Sequence, residues 1–312
     1  MSEIPSTTPK EDSLHKFLKT LVNLRKKPVL LLRMGTVTPS SVLMTANELR
    51  GKKFDALDVV LHTPGGHIES AYKIVKLLRK HSKNIEIIIP SFAKSAGTLI
   101  CLSGENLIMT TTSELGPLDV QIPEQQEGDV DTFKSALNGY KSLEQIQTHA
   151  IENLDIATKL ILHRTGNRMR LQDVIKLAIE FSGNTSGCLY QQIHPKSITE
   201  YARALDIGEQ YGVRILIRYM GWNQNKASIV VHRMVYDYPS HSFIIDNEEL
   251  KELGFQVEQA KDELETILEE VGLVLDSRDH GDDNEIKLFE YKKPEEESKQ
   301  NKKNEKKTSK RK

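Results

Sequence analysis

Two short stretches of this chain hold residues whose types and order suit hydrolytic chemistry. The first is His62-Thr63-Pro64-Gly65-Gly66. Two adjacent glycines without side chains let bare backbone approach a ligand, and N–H groups leading into a helix favour a developing negative charge. The second is Ala93-Lys94-Ser95-Ala96-Gly97-Thr98. A serine at such a turn, flanked by small residues, can present its hydroxyl to a substrate. Each motif alone has an ordinary explanation, as a tight turn or as a serine capping a helix. Their value lies in the pairing, since Gly66 and Ser95 lie 29 residues apart, each just after an apolar run.

Those runs define the elements that must position them. Residues 12–26 carry Leu14, Phe17, Leu18, Leu21 and Val22 at helical spacing, and Pro28 ends that helix. Strands are predicted at 29–34, 57–63, 85–90 and 106–110. Between them lie helices at 39–50 (opened by a serine cap), 67–80 and 95–103. Regular alternation of this kind predicts an α/β fold, a parallel sheet with helical crossovers. In such sheets ligands sit at the carboxyl ends of strands, where both glycine turns fall. Beyond residue 140 helices dominate, at 140–166, 170–182, 196–211, 223–236, 247–253 and 257–271. A late strand is expected at 213–218 (VRILIR), and SGNTSG (182–187) reads as a flexible turn or lid.

Composition bounds the function. With 38% hydrophobic and 28% charged residues in 312, the chain can bury a substantial core. A net charge of -1 excludes a body that binds nucleic acid by gross charge. The charge is uneven: residues 292–312 hold ten Lys/Arg and four Glu, a net of +6, which leaves -7 (-1 less +6) on the rest. That tail reads as disordered and solubilising, with weak RNA contact, a nuclear import signal in KKTSKRK or docking to an acidic partner as its sharper readings, and the acidic stretch 276–285 before it reads as a loop. No stretch is apolar enough to span a membrane, and two cysteines, Cys101 and Cys188, predict a reducing, cytoplasmic setting. Ten histidines form no metal-binding motif, so neither metal nor cofactor is expected.

The two motifs in order, LHTPGGHIESAYKIVKLL and then PSFAKSAGTLICLSGENLIMTTTSELGPLDVQ, resemble the Clp protease/crotonase superfold in its serine-peptidase branch. More narrowly, they resemble the serine dehydrogenase proteinase family, relatives of the signal peptide peptidase SppA. The likeness covers about residues 28–150. It implies a Clp protease/crotonase-like fold over 28–256, after an N-terminal helix (1–27) and before a C-terminal helix (257–275) and the charged tail (276–312). It implies Ser95 as nucleophile, with the N–H groups of Gly66 and Ala96 as oxyanion hole. The histidine of Clp protease has no counterpart at its expected distance, where Gly116-Pro117-Leu118-Asp119 stands and the next histidine is His149. The SppA-type lysine stretch does have one. Asn138-Gly139-Tyr140-Lys141-Ser142 fits at all but its first position, which makes Lys141 the general base and Lys134 the alternative. Asp119 is a residue that could orient a base, and His241 a distant candidate to reach the site. Peptide or protein substrates and a homo-oligomer are further implications. A crotonase-type acyl-CoA enzyme and a non-catalytic interaction scaffold stay open as competing functions.

Overall fold

The computed structural model describes residues 11–124, 132–277 and 284–292. The basic tail therefore lies outside the described residues, as does most of the acidic stretch before it. The chain divides into two compact units, residues 1–117 with 212–230 and 242–312, and residues 118–211 with 231–241.

The first unit is built on a six-stranded sheet. In chain order its strands are β1 (Val29–Arg33), β2 (Phe54–His62) and β3 (Ser82–Ile89), with helices α1 (Glu11–Arg25), α2 (Pro39–Leu49) and α3 (Ile68–His81) interleaved. A short β4 (Phe92–Ala93), α4 (Ala96–Cys101), β5 (Asn106–Met109) and β6 (Glu114–Leu115) follow. The second unit opens with the hairpin of β7 (Gln121–Glu124) and β8 (Thr132–Ser135) and continues through the helices α5 (Ala136–Arg164) and α6 (Leu171–Tyr190). Then come α7 (Pro195–Met220), α8 (Gln224–His232), a π-helical turn (Arg233–Asp237), α9 (Asn247–Glu252), β9 (Val257–Gln259), α10 (Asp262–Asp276) and β10 (Glu285–Phe289).

The main sheet runs β10-β1-β2-β3-β5-β9, parallel throughout except for β10 at one edge. Its central strands read as near-continuous apolar runs because both faces are covered. Leu57, Val59, Val60 and Leu61 of β2 and Ile87, Ile88 and Ile89 of β3 are all 0% exposed. On one face Leu14, Leu18 and Leu21 of α1 pack with Leu268, Val271 and Leu275 of α10 against Leu31, Val60, Ile88 and Ile108. α3 contributes Ala71, Ile74, Val75 and Leu78, a buried stripe at helical spacing. The sequence expectation of an α/β fold with a parallel-rich sheet is met.

Five local expectations are not. The cap of α2 is Thr38, in a reciprocal capping box with Ser41, rather than a serine of the helix itself. VRILIR is the last part of the 26-residue α7, with Ile215 and Leu216 buried at 0% exposure. Four apolar residues, three of them β-branched, satisfy a strand or a helix template equally, and burial at helical spacing along α7 decides for the helix. SGNTSG lies inside α6, where Ser182 and Ser186 are two of the four members of the buried i, i+4 stripe Val174, Ala178, Ser182, Ser186. Small residues there let α6 pack closely against its neighbour, and the Ser182 hydroxyl donates to the Ala150 carbonyl of α5 at 2.7 Å. Finally, Val257 and Ala260 do not join a helix. Residues 257–259 pair with Leu107–Met109 to complete the sheet edge, and α10 begins only at Asp262. Glu285–Phe289, within the stretch read as charged tail, forms β10 against β1.

Candidate active site

Ser95 stands between β4 and α4 with φ 52° and ψ -114°. A non-glycine residue in this region is strained by roughly 1–3 kcal/mol and persists only where its surroundings enforce it. The surroundings do so through backbone pairing. The Thr63 N–H donates to Phe92 O at 3.4 Å, and the Lys94 N–H donates to Thr63 O at 3.0 Å, so the HTPGG turn runs beside the approach to Ser95. Past the serine, the Gly97 N–H returns to Lys94 O at 2.8 Å and the Leu99 N–H to Ser95 O at 3.2 Å. Ser95 occupies the N-cap position of α4, yet its side chain makes no capping hydrogen bond. The ordinary explanation for a serine that opens a helix therefore does not apply. The serine is 4% exposed.

The glycines of the first turn are required sterically. Gly65 has φ 124°, and a Cβ there would lie 2.8 Å from the Ser95 Cβ and 3.3 Å from its Oγ. Gly66 has φ 137°, and its Cβ would fall 2.6 Å from both the N and the O of Val37. Val37 bridges to this turn through its N–H to Gly65 O at 2.7 Å and its carbonyl from the His67 N–H at 2.8 Å. The bridge thus uses the groups on either side of Gly66 and leaves the N–H of Gly66 out of its ladder. Behind Ser95, the Thr98 hydroxyl lies 2.7 Å from Gly116 O and 3.0 Å from Ala93 O. Lys94 turns aside into an ion pair with Glu114 of β6. Cys101 is fully buried in α4, and burial pushes its thiol far up, which makes it an inert apolar side chain.

His62 ends β2 beneath the same turn. Its ring packs 4.3 Å from the Phe92 ring, with Asp276 at 3.9 Å. Burial, and then the charge of Arg33, push its pKa down to about 4. It stays neutral near pH 7 and serves packing.

The second unit holds the candidate bases. Asp119, 0% exposed, anchors the start of α5: it accepts hydrogen bonds from the Ser135 hydroxyl and, at 3.1 Å, from the Leu137 N–H. Ser135 in turn caps the helix by accepting from the Asn138 N–H at 3.0 Å. His241 lies 3.5 Å from the same carboxylate. The residue with capacity to orient a base therefore fixes the helix that carries Lys141. Lys141 Nζ donates to the Tyr236 carbonyl at 2.5 Å and lines a polar cavity of about 680 Å³ with Glu144, Asp206, Glu209 and Tyr236. Burial, then Asp206 and Glu209, push the Tyr236 phenol up. Lys134 lies in β8 opposite Ile122; its side chain is outside the described residues. The structure thus brings Ser95, Gly65, Gly66 and Ala96 together in the first unit and puts Lys141 and Lys134 in the second. Sequence reasoning missed Gly65 as the glycine nearest the serine, and the only signal for it was the doubled glycine. Among the described residues no cluster suits a metal ion, and no helix is long and apolar enough to cross a membrane.

Residues 30–171 match the family described as ClpP-like SDH-type serine proteinase, which bears out the resemblance read from the two motifs. The uncharacterized protein MJ0137 of Methanocaldococcus jannaschii is 41% identical over 66 residues, covering 21% of this chain and 23% of that protein. MJ1495 of the same organism is 29% identical over 106 residues, 34% of each chain. The chain therefore spans about a quarter to a third of the length of these curated relatives. Among solved structures, a mutant of the 1510-N membrane-bound stomatin-specific protease aligns at 15% identity over 74% of this chain and 78% of that one, with a TM-score of 0.38. A mutant of ClpP1 from Listeria monocytogenes aligns at 12% identity over 80% of this chain and 99% of that one, with a TM-score of 0.37.

Two outcomes are expected. Ser95→Gly relieves the positive φ and raises the unfolding free energy in urea by about 1 kcal/mol relative to Ser95→Ala. Equal stability of the two variants would contradict a strained turn. For His62, a folded pKa below the ordinary 6.5 means that the unfolded chain binds more protons between about pH 4 and 6.5, so stability rises with pH through that window and is lost as pH falls. Between about pH 7 and pH 5 the loss amounts to roughly 2 kcal/mol, and His62→Gln should shrink the gap by that amount. An unchanged gap would contradict the buried neutral imidazole.

Proposed function

We propose, from the match of residues 30–171 to the ClpP-like SDH-type serine proteinase family, that this chain is a serine peptidase acting through Ser95 and Lys141. The observation that carries the reading is the strained Ser95 turn with Gly65 pressed against its side chain. Such a turn lifts a hydroxyl off the helix start and keeps it from serving as a cap.

The mechanism follows from the groups. Lys141, as the neutral amine, takes the hydroxyl proton while Ser95 Oγ attacks the scissile carbonyl carbon. The carbonyl oxygen becomes an oxyanion facing the Gly66 and Ala96 N–H groups, a preorganised donor pair. Collapse expels the amine, which takes the proton from Lys141, and leaves an acyl-Ser95 ester. Lys141 then deprotonates water, which attacks the ester; the acid product leaves and the proton returns to Ser95. Lys134 is the alternative base.

Soluble peptides or proteins are the substrate class, and the working form is a homo-oligomer in the cytoplasm. Support for assembly comes from the apolar flanks of α5 and α6, where Ile151, Ile156, Ile179 and Phe181 are between 51% and 62% exposed.

Hydrolysis of a quenched fluorogenic peptide pool tests the reading. Ser95→Ala and Lys141→Ala are each expected to lower kcat/KM by roughly 10⁴-fold or more, with the double variant no worse, because the two groups act as a unit. Lys134→Ala is expected to stay within about tenfold of wild type. Loss in Lys134→Ala with activity retained in Lys141→Ala would move the base. Activity retained in Ser95→Ala would remove Ser95 as the nucleophile, and no hydrolysis by the folded wild type would sink the peptidase reading and leave the scaffold.

A further inference from the structure

On the outer side of the first unit, α2 and α3 leave a groove of about 520 Å³ between them. Its apolar surface comes from Val42, Leu43 and Ala46 on α2, Leu77 on α3 and Tyr219 at the end of α7. Leu43 is 68% exposed, an unusual outlay of apolar surface on a helix whose Ser41, Thr45 and Leu49 face inward.

The α3 side of the groove is cationic. Arg79 is committed to the structure: it pairs with Glu105, donates to Ser103 O and lies 5.7 Å from the Tyr219 ring. Lys73, Lys76 and Lys80 are exposed and form no ion pair among the described residues. Among those residues no carboxylate lines the groove. Positions 73, 76 and 80 share one edge of the helix and extend over about 10 Å, two turns. This positive edge stands on a chain whose residues outside the basic tail sum to -7 (-1 less +6).

We propose that this groove docks an acidic amphipathic helix of a partner protein, apolar residues against Leu43, Ala46 and Leu77 and carboxylates along Lys73, Lys76 and Lys80. An apolar trough beside a row of like charges suits a helix with an apolar stripe and an acidic edge. The row argues against a single anionic headgroup, because one phosphate or carboxylate neutralises one or two lysines, whereas carboxylates at i, i+3 and i+7 match all three. The site is separate from Ser95 and does not depend on the peptidase reading.

The test is fluorescence anisotropy on full-length Ser95→Ala protein, which removes any cleavage by Ser95. The probe is a labelled, helix-stapled peptide with leucines at i, i+3 and i+7 spacing and glutamates along the adjacent edge. A second peptide carries lysines in place of the glutamates. The acidic peptide is expected to bind saturably, and the lysine peptide at least about tenfold more weakly, since exposed pairs contribute ~0.2–1 kcal/mol each. Lys73→Glu/Lys76→Glu/Lys80→Glu is expected to reverse that preference. Leu43→Asp, at an exposed side chain that leaves the core alone, is expected to abolish binding of the acidic peptide. High salt should weaken binding to wild type. Absence of saturable binding, equal binding of both peptides, or binding unchanged in these variants would overturn the proposal. Lysine-dependent binding to phosphatidylserine vesicles without peptide binding would overturn it in favour of a lipid surface.

Discussion

The constraint on which the rest depends is the positive φ of Ser95. A serine does not adopt that backbone unaided, so the flanking chain must impose it from both sides. On one side Thr63 clamps Phe92 and Lys94 by two backbone hydrogen bonds; on the other, Gly97 and Leu99 fold back onto Lys94 and Ser95. The clamp works only because Gly65 has no side chain, since any Cβ would collide with the serine. Gly97 is needed likewise, its Cβ position falling 2.6 Å from the Thr63 methyl. Two glycines and a threonine thus serve one strained dihedral, and the hydroxyl is the beneficiary.

Strain of this size is a noticeable share of a domain's ~5–15 kcal/mol of net stability, and the sheet supplies what sustains it. β2 and β3 are buried on both faces, and the two turns leave their carboxyl ends, so neither turn can relax without disturbing the core. Midway along the same strands Asp58 is 0% exposed, with Arg25 donating to it at 2.8 Å and Lys27 in ion-pair range at 3.6 Å, while Glu86 pairs with the same two cations. Burial raises the Asp58 pKa, which the two cations oppose. β2 and β3 therefore hold a neutralised ionic cluster at mid-length, beside the starts of β1 and β5, and a backbone strained for chemistry beyond their carboxyl ends. Stability and function are separated along the strands.

Much of this was legible in the sequence. Strands β1, β2, β3 and β5 announce themselves by buried apolar runs, and α1 and α3 by their 3.6-residue stripes. Ser95 and the glycine pair were found because strand-turn-helix punctuation is local. What was not legible depends on distant partners. The bonds of Asp119 reach Ser135 and Leu137, 16 and 18 residues on, and Lys141 meets Tyr236 95 residues on. VRILIR misled because a short apolar run carries both periods, and the two-turn face that settles it lies outside the run. β9 misled because Val257 and Ala260 fit a helical stripe, while the sheet's need for an edge partner beside β5 is a three-dimensional fact. Between Gly65 and Gly66 the sequence offers no distinction; only the position of Ser95 separates their roles.

The central claim, that the strained turn makes Ser95 a nucleophile, is tested most directly by a fluorophosphonate probe followed by tandem mass spectrometry of the labelled protein. The account predicts a single phosphonyl adduct on Ser95, lost in Ser95→Ala and strongly slowed in Gly65→Ala, where the methyl would displace the hydroxyl. An adduct on another serine, or none on a folded wild-type protein, would contradict it.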